Sequence, residues 1–130
     1  MQLKTIDHLV LRSNNWQRLV QFYEHVLGAQ LERVLEQEGL YQLRVGNALI
    51  DILSTGGSLD NGDEPHQPSS PLAHFCLGVT AANEQALFRH LRAKGVQEPL
   101  TFATRYGASG YGRSVYIQDP DGNTLELKLV

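Results

Sequence analysis

Two histidines and two carboxylates stand at matched places in the two halves of this 130-residue chain. His8 begins the run HLVL and His74 begins the run HFCL, while Asp51 and Glu126 lie in IDI and LEL, each shortly after a Gly-Asn pair. A two-fold arrangement of two such halves would bring two imidazoles and two carboxylates together. Two imidazoles and two carboxylates that bind one divalent metal ion, and leave its other coordination positions open to water, are typical of a catalytic metal site.

Each of these residues also has a structural interpretation. A histidine on a strand is usually a hydrogen-bonded structural residue, Glu126 could pair with Lys128 or Arg44 across a sheet, and Asp51 could lie at an edge near a hairpin end. A carboxylate among aliphatic neighbours is costly unless it is paired or bound to a cation. Because the pair of histidine and carboxylate occurs twice, the sequence favours the metal site.

The elements that position these residues follow the same order in both halves. Residues 6–11 predict a strand, 15–27 a helix, and 41–45 and 48–53 a hairpin around Gly46-Asn47. Residues 54–71 are rich in Pro, Gly and Ser and predict a linker. The second half predicts a strand over 72–79, a helix over 84–94 and strands over 113–118 and 124–129. We therefore expect one domain over 1–130, built from half-modules of about 1–55 and 72–130.

Three further residues could take part in chemistry. Tyr116 is expected on the face of Glu126, where its phenol is either an acid or hydrogen-bond donor, or a packed core side chain. The glycine-rich stretch 105–112 predicts a flexible loop over the site that offers Arg105 to an anionic substrate group. Cys76 is expected on the face of His74, either lining the site or as a buried, inert thiol.

Composition excludes several classes of protein. The formal charge of −3 argues against nucleic-acid or anionic-membrane partners, which require clustered Lys and Arg. No apolar run approaches the roughly 20 residues that a membrane helix needs. The chain has one cysteine, so it can form no internal disulfide and no Cys-rich zinc site. We expect a cytoplasmic protein.

The whole chain resembles the vicinal oxygen chelate superfamily, which groups glyoxalases, bleomycin resistance proteins and extradiol dioxygenases. The resemblance is carried by IDHLVL at 6–11, by Phe22-Tyr23 and Leu27-Gly28 at the end of the first helix, and by Ala73-His74-Phe75. Its most specific part is GRSVYIQDPDGNTLEL at 112–127.

The resemblance implies an α+β fold in which two βαβββ modules form a curved, partly open, eight-stranded barrel-like sheet, usually in a homodimer. It implies one divalent metal (Ni, Zn, Mn, Co or Fe(II)) with His8, His74 and Glu126 at the shared ligand positions. Asp51 matches the fourth ligand position of the glyoxalase I branch, where Glu is more usual. In that branch the carboxylates also move protons, so Glu126 and Asp51 are candidate catalytic residues.

Four reactions or roles fit this resemblance, because the fold does not choose the chemistry. A glyoxalase-like lyase or isomerase, acting on a small substrate with vicinal oxygens, is favoured by Asp51 and Glu126; a thiol such as glutathione is a candidate partner. A fosfomycin-type transferase is suggested by Ser114 and Tyr116, which match phosphonate-contacting positions. Tyr116 also matches the active-site tyrosine of extradiol dioxygenases. Those enzymes use a further catalytic histidine that does not bind the metal, and His66 is the only nearby candidate for it here. A metal-free drug-binding protein would generally lack these ligands.

Overall fold

The computed structural model describes residues 1–60 and 72–130. The chain divides into two compact units, Met1–Pro68 and Ser69–Val130, and each unit has the element order βαβββ. This confirms the expected α+β class and the two modules. His66 and most of the predicted linker lie outside the described residues.

The first half consists of β1 (His8–Ser13), α1 (Trp16–His25), β2 (Gln30–Leu35), β3 (Leu40–Val45) and β4 (Ala48–Ser54). Its four strands form one sheet in the order β1-β4-β3-β2, with β1 parallel to β4 and the other pairs antiparallel. The β3–β4 hairpin turns at Gly46-Asn47, as the sequence predicts. The central strand β4 therefore has a hydrogen-bonded neighbour on each side.

Helix α1 forms because a capping residue precedes an amphipathic stretch. The side chain of Asn15 accepts a hydrogen bond from the backbone amide of Arg18, 3.3 Å away, and so satisfies one of the first free amides of the helix. The buried face of the helix consists of Leu19, Val20 and Tyr23. Trp16 stacks on Tyr41 of β3 with ring centroids 3.6 Å apart, which holds the start of the helix against the sheet.

The second half repeats this plan with β5 (Phe75–Val79), α2 (Glu84–Ala93), β6 (Phe102–Gly107), β7 (Gly110–Gln118) and β8 (Thr124–Leu129). Its sheet has the order β5-β8-β7-β6, again with one parallel pair, β5 with β8. Asn83 caps α2 by accepting a hydrogen bond from the amide of Ala86 at 2.9 Å. In the part of the chain that the structure describes, neither helix is long and apolar enough to span a membrane.

Each sheet has one aliphatic face and one face that carries polar residues. In the first half Leu43, Ile50 and Ile52 are fully buried, and in the second half Val115, Leu125 and Leu127 are. Because side chains alternate along a strand, the residues between them point to the opposite face. This alternation places Asp51 and Glu126 away from the aliphatic cores, as expected.

Two strands were not predicted from the sequence. Strand β2 is exposed over most of its length and has a register shift between Leu31 and Arg33, which breaks the alternation that would have revealed it. Strand β6 includes Arg105, and the stretch 105–112 forms the tip of a β6–β7 hairpin. The prediction of a flexible loop there is wrong, because its residues pair in register from Phe102 with Val115 to Gly107 with Gly110.

The β6–β7 hairpin is held to β8 by a buried lysine. Lys128 is only 4% exposed, and its ammonium donates a hydrogen bond to the carbonyl of Gly110. A Cβ atom at Gly112 would lie 2.8 Å from Lys128 Cε and 3.1 Å from the carbonyl oxygen of Leu129. The lysine can therefore cross β7 only because residue 112 has no side chain.

We predict that Gly112→Ala lowers the free energy of unfolding by about 1–3 kcal/mol, because the added methyl group overlaps the lysine stem. Urea unfolding of wild type, G112A, K128A and the double variant measures this. The cost of G112A should be smaller in the K128A background, where only the contact with Leu129 remains. An equal cost in both backgrounds would show that the lysine is not the cause.

Candidate metal centre

The two halves present histidine and carboxylate in the same register. In the first sheet Val10, two residues after His8, lies beside Asp51 on the parallel strand. In the second sheet Cys76, two residues after His74, lies beside Glu126. The carboxylates therefore correspond, although Asp51 lies four residues after its Asn and Glu126 only three. The difference arises in the turns, which are two residues long at Gly46-Asn47 and longer between Gln118 and Thr124.

The next strand supplies each carboxylate with a hydrogen-bond donor at the directly opposite position. Gln42 is the partner of Asp51, and its side-chain Nε2 lies 3.2 and 3.1 Å from the two carboxylate oxygens. Tyr116 is the partner of Glu126, and its hydroxyl donates to Glu126 Oε2 at 3.3 Å. Each half thus carries a buried carboxylate and a donor on adjacent strands, with a histidine at the first residue of β1 or immediately before β5, which begins at Phe75 and not at residue 72 as predicted.

In the second half, His74 and Glu126 are close enough to share an ion. His74 Nε2 lies 3.3 Å from Glu126 Oε2. Two ligand atoms that are each about 2.1 Å from one divalent ion lie about 3.0 to 3.4 Å apart, for octahedral to tetrahedral angles. The His74 side chain is 41% exposed and that of Glu126 is 9% exposed. The donor pair therefore fits a metal in chemistry and in spacing.

Tyr116 connects this pair to Arg105. The ring of Tyr116 meets that of His74 edge to face, with centroids 5.3 Å apart, and Arg105 Cζ lies 5.9 Å from its centroid. A guanidinium at this distance is attracted by the ring electrons. The structure thus brings together His74, Glu126, Tyr116 and Arg105 within one half.

In the first half, His8 has a second carboxylate beside it, that of Asp7, which the sequence alone would suggest to be a solvated neighbour. His8 Nδ1 lies 2.7 Å from Asp7 Oδ1, so the carboxylate can accept the Nδ1 proton and leave Nε2 directed elsewhere. This hydrogen bond raises the pKa of His8, and the charge of Asp51 raises it further. Metal-bound histidines commonly have such a carboxylate on the second nitrogen. Adjacency in sequence was the only signal for Asp7.

The structural alternatives for Glu126 do not occur. Lys128 binds Gly110, and Arg44 binds Glu32 with an NH2-to-Oε2 distance of 2.8 Å. Asp51 is 5% exposed on the central strand of its sheet, so it is not an edge residue.

Ser114 and Cys76 lie on the face of Glu126 but differ in their surroundings. Ser114 is fully buried, and its hydroxyl has no hydrogen-bond partner among the described residues. Cys76 is exposed, so the expectation of a buried thiol is wrong. Partial desolvation nevertheless raises the pKa of its thiol, and the Glu126 carboxylate raises it further. The thiol is therefore held in its protonated, weakly nucleophilic form.

Among the described residues, no three His, Cys, Asp or Glu side chains are grouped so that they could hold a metal ion. Each half has one histidine and one buried carboxylate at matched positions.

Comparison with known proteins places the chain in a family. The model of the Glyoxalase/Bleomycin resistance protein/Dioxygenase superfamily matches residues 5–127, and the chain belongs to this superfamily. The glyoxalase domain-containing protein RDO1 of Mycosarcoma maydis is 28% identical over 127 residues, which cover 98% of this chain and 69% of that protein. The virulence protein STM3117 of Salmonella typhimurium is also 28% identical, over 98% of this chain and 85% of that protein.

Solved structures show the same fold. The alignment with the crystal structure of STM3117 includes 99% of this chain and 98% of the STM3117 chain, with a TM-score of 0.75 and 26% identity. The alignment with the crystal structure of a lactoylglutathione lyase from Agrobacterium tumefaciens includes 99% of this chain and 96% of the lyase chain, with a TM-score of 0.66. At 18% identity, this second likeness is evidence for the fold alone.

We predict that Gln42→Leu destabilises the metal-free protein by about 1–3 kcal/mol, because it removes both hydrogen bonds from a buried carboxylate. Urea unfolding with a chelator present measures the loss. In an Asp51→Leu background, where no carboxylate needs a donor, the same substitution should cost much less. If Q42L costs the same in both backgrounds, Gln42 acts by packing and not by its amide.

Proposed function

We propose that the chain is a divalent-metal-dependent, glyoxalase-like lyase or isomerase acting on a small substrate with vicinal oxygens. The observation that carries the proposal is the matched register in which each half presents a histidine, a buried carboxylate and a donor. His8, His74 and Glu126 would hold the metal, and Asp51 would act as a fourth ligand or as a base. Ni, Zn, Mn, Co and Fe(II) all accept such nitrogen and oxygen ligands.

A bound divalent ion supplies electrostatic stabilisation to negative charge that develops on the substrate oxygens. The residues of the chain supply proton transfer and orientation. Glu126 is poised to take a proton from the carbon beside a carbonyl, because its Oε2 accepts hydrogen bonds that can be released or strengthened as its charge changes. Tyr116 donates to that same oxygen and so orients the carboxylate. Arg105, beside the Tyr116 ring, can attract an anionic group of the substrate.

A fosfomycin-type transferase is the second candidate, and one observation favours it. The buried hydroxyl of Ser114 has no partner among the described residues. A buried polar group without a hydrogen bond is costly, and a substrate oxygen whose binding opened the packing around Ser114 and accepted this hydrogen bond would remove that cost. The cytoplasmic location and the homodimer stay predictions.

Metal binding can be tested with single substitutions. The protein purified without added metal should bind about one equivalent of a divalent ion, measured by elemental analysis and by zinc titration against a competing chelator. His74→Ala should weaken binding at least about tenfold, because it removes a neutral nitrogen ligand. His25→Ala, on the exposed end of α1, is the matched control and should not weaken it.

Asp51→Ala should weaken zinc binding less than His74→Ala does if Asp51 is a base, and equally if it is a full ligand. Less than about a tenth of an equivalent in wild type, with no gain on adding Ni, Zn, Mn or Fe(II), would contradict the metalloenzyme proposal.

The reaction class can be separated by three assays on the metal-loaded protein. We expect turnover of the glutathione–methylglyoxal hemithioacetal, and no thiol transfer to fosfomycin or oxygen consumption with catechol. Glu126→Gln should reduce the rate at least about a hundredfold, as expected for loss of a general base. Tyr116→Phe should reduce it less, because the phenol only orients the carboxylate. Oxygen consumption that depends on Fe(II) would instead identify a dioxygenase.

A further inference from the structure

A groove of about 400 Å³ lies in the second half, beside the end of β7. Its walls are the segment between α2 and β6 on one side and the end of β7 with the start of β8 on the other. The lining residues are Val96, Gln97, Glu98, Pro99, Tyr116, Ile117, Gln118, Asp119 and Thr124.

The groove exists because β6 is shorter than its partner. Strand β6 pairs with β7 only between Gly110 and Val115, although β7 continues to Gln118. In the described part of the chain, the last three residues of β7 therefore have no partner from β6. The segment 96–99 passes along this side and leaves a groove between itself and the strand end.

The groove and the proposed metal site are joined by Tyr116, although neither His74 nor Glu126 lines the groove. Tyr116 lines it and also donates a hydrogen bond to Glu126. Thr124 lies two residues before Glu126 on the same face of β8, opposite Gln118 of β7. A ligand bound near Glu126 can therefore extend past Tyr116 into the groove.

The chemistry of the walls discriminates between ligands. The lining residues include two carboxylates, Glu98 and Asp119, and no lysine, arginine or histidine. The oxygens of Asp119 accept hydrogen bonds from the amides of Asp121 and Asn123 and from the Asn123 side chain, so this carboxylate is held in the turn. Among the described residues, the ion pair recorded for Glu98 is with Arg92, at an Nε-to-Oε1 distance of 3.6 Å, and the Glu98 side chain is 46% exposed.

We infer that this groove binds a polar, neutral or cationic group of the substrate that lies away from the metal-binding oxygens, while an anionic group of the same substrate lies outside the groove, on the side of Arg105. The inference rests on the proposed function and narrows its substrate class. Gln97, Gln118 and Thr124 supply hydrogen-bond donors and acceptors, and Glu98 disfavours a carboxylate or phosphate. Arg105 contacts Tyr116 but is not a lining residue, so it does not offset this charge.

Three catechols that differ only in their tails test the inference on the zinc-loaded protein. Dopamine has a cationic tail, 4-methylcatechol a neutral one and 3,4-dihydroxyphenylacetate an anionic one, while all share the same pair of vicinal oxygens. Isothermal titration calorimetry should show dopamine binding about fivefold more tightly than 3,4-dihydroxyphenylacetate, the effect expected of one partly exposed charge.

Glu98→Gln should reduce this preference to less than about twofold. The control is Glu24→Gln, which removes the same charge from an exposed position of α1 and should leave the preference unchanged. In ¹⁵N spectra, the side-chain amides of Gln97 and Gln118 should shift with dopamine.

The outcomes separate the groove from the metal site. Zinc-dependent binding of all three catechols with equal affinity would overturn the inference about the groove and leave the proposed metal site standing. The same holds if Glu98→Gln and Glu24→Gln have equal effects. Tighter binding of the anionic catechol would overturn it as well. If the protein takes up no zinc, the proposed function fails, and the groove is then tested by tyramine against 4-hydroxyphenylacetate on the metal-free protein. Unshifted Gln97 and Gln118 amides in that experiment would overturn the groove.

Discussion

A buried carboxylate on an inner strand of each sheet is the constraint on which the rest of each half depends. Asp51 and Glu126 are both buried, and each lies between two hydrogen-bonded strands. A charge at such a position must be compensated locally, or it destabilises the fold. The neighbouring strands supply this compensation, and by doing so they place a histidine and a donor where a cation could use them.

The two halves compensate their buried carboxylates with different hydrogen-bond donors, an amide for Asp51 and a phenol for Glu126. Gln42 has an amide that does not ionise, so it holds Asp51 as a fixed acceptor. Glu126 faces a phenol and an imidazole, both of which can exchange protons. Under the proposed function, these surroundings favour Glu126 over Asp51 as the carboxylate that moves a proton.

The sequence was enough to predict the strands that carry His8, Asp51 and Glu126, because each of these residues interrupts a clear aliphatic pattern. It did not reveal β2, whose exposed residues and irregular register carry no strong alternation. It also did not reveal Gln42, because a glutamine on a strand has no distinctive pattern until its cross-strand partner is known. The one-residue offset between Asp51 and Glu126 was visible in the sequence, but only the strand pairing shows that it arises in the turns.

The repeated register has a consequence for how such a protein can change over evolutionary time. The eight strands of the described residues form two separate hydrogen-bonded sheets, and each half carries its own histidine, carboxylate and donor. A substitution at the Gln42 position alters the surroundings of one carboxylate without altering any backbone pair of the other sheet. Two halves with the same register can therefore diverge one donor at a time, and new substrate preferences can arise while the histidine and carboxylate positions stay matched.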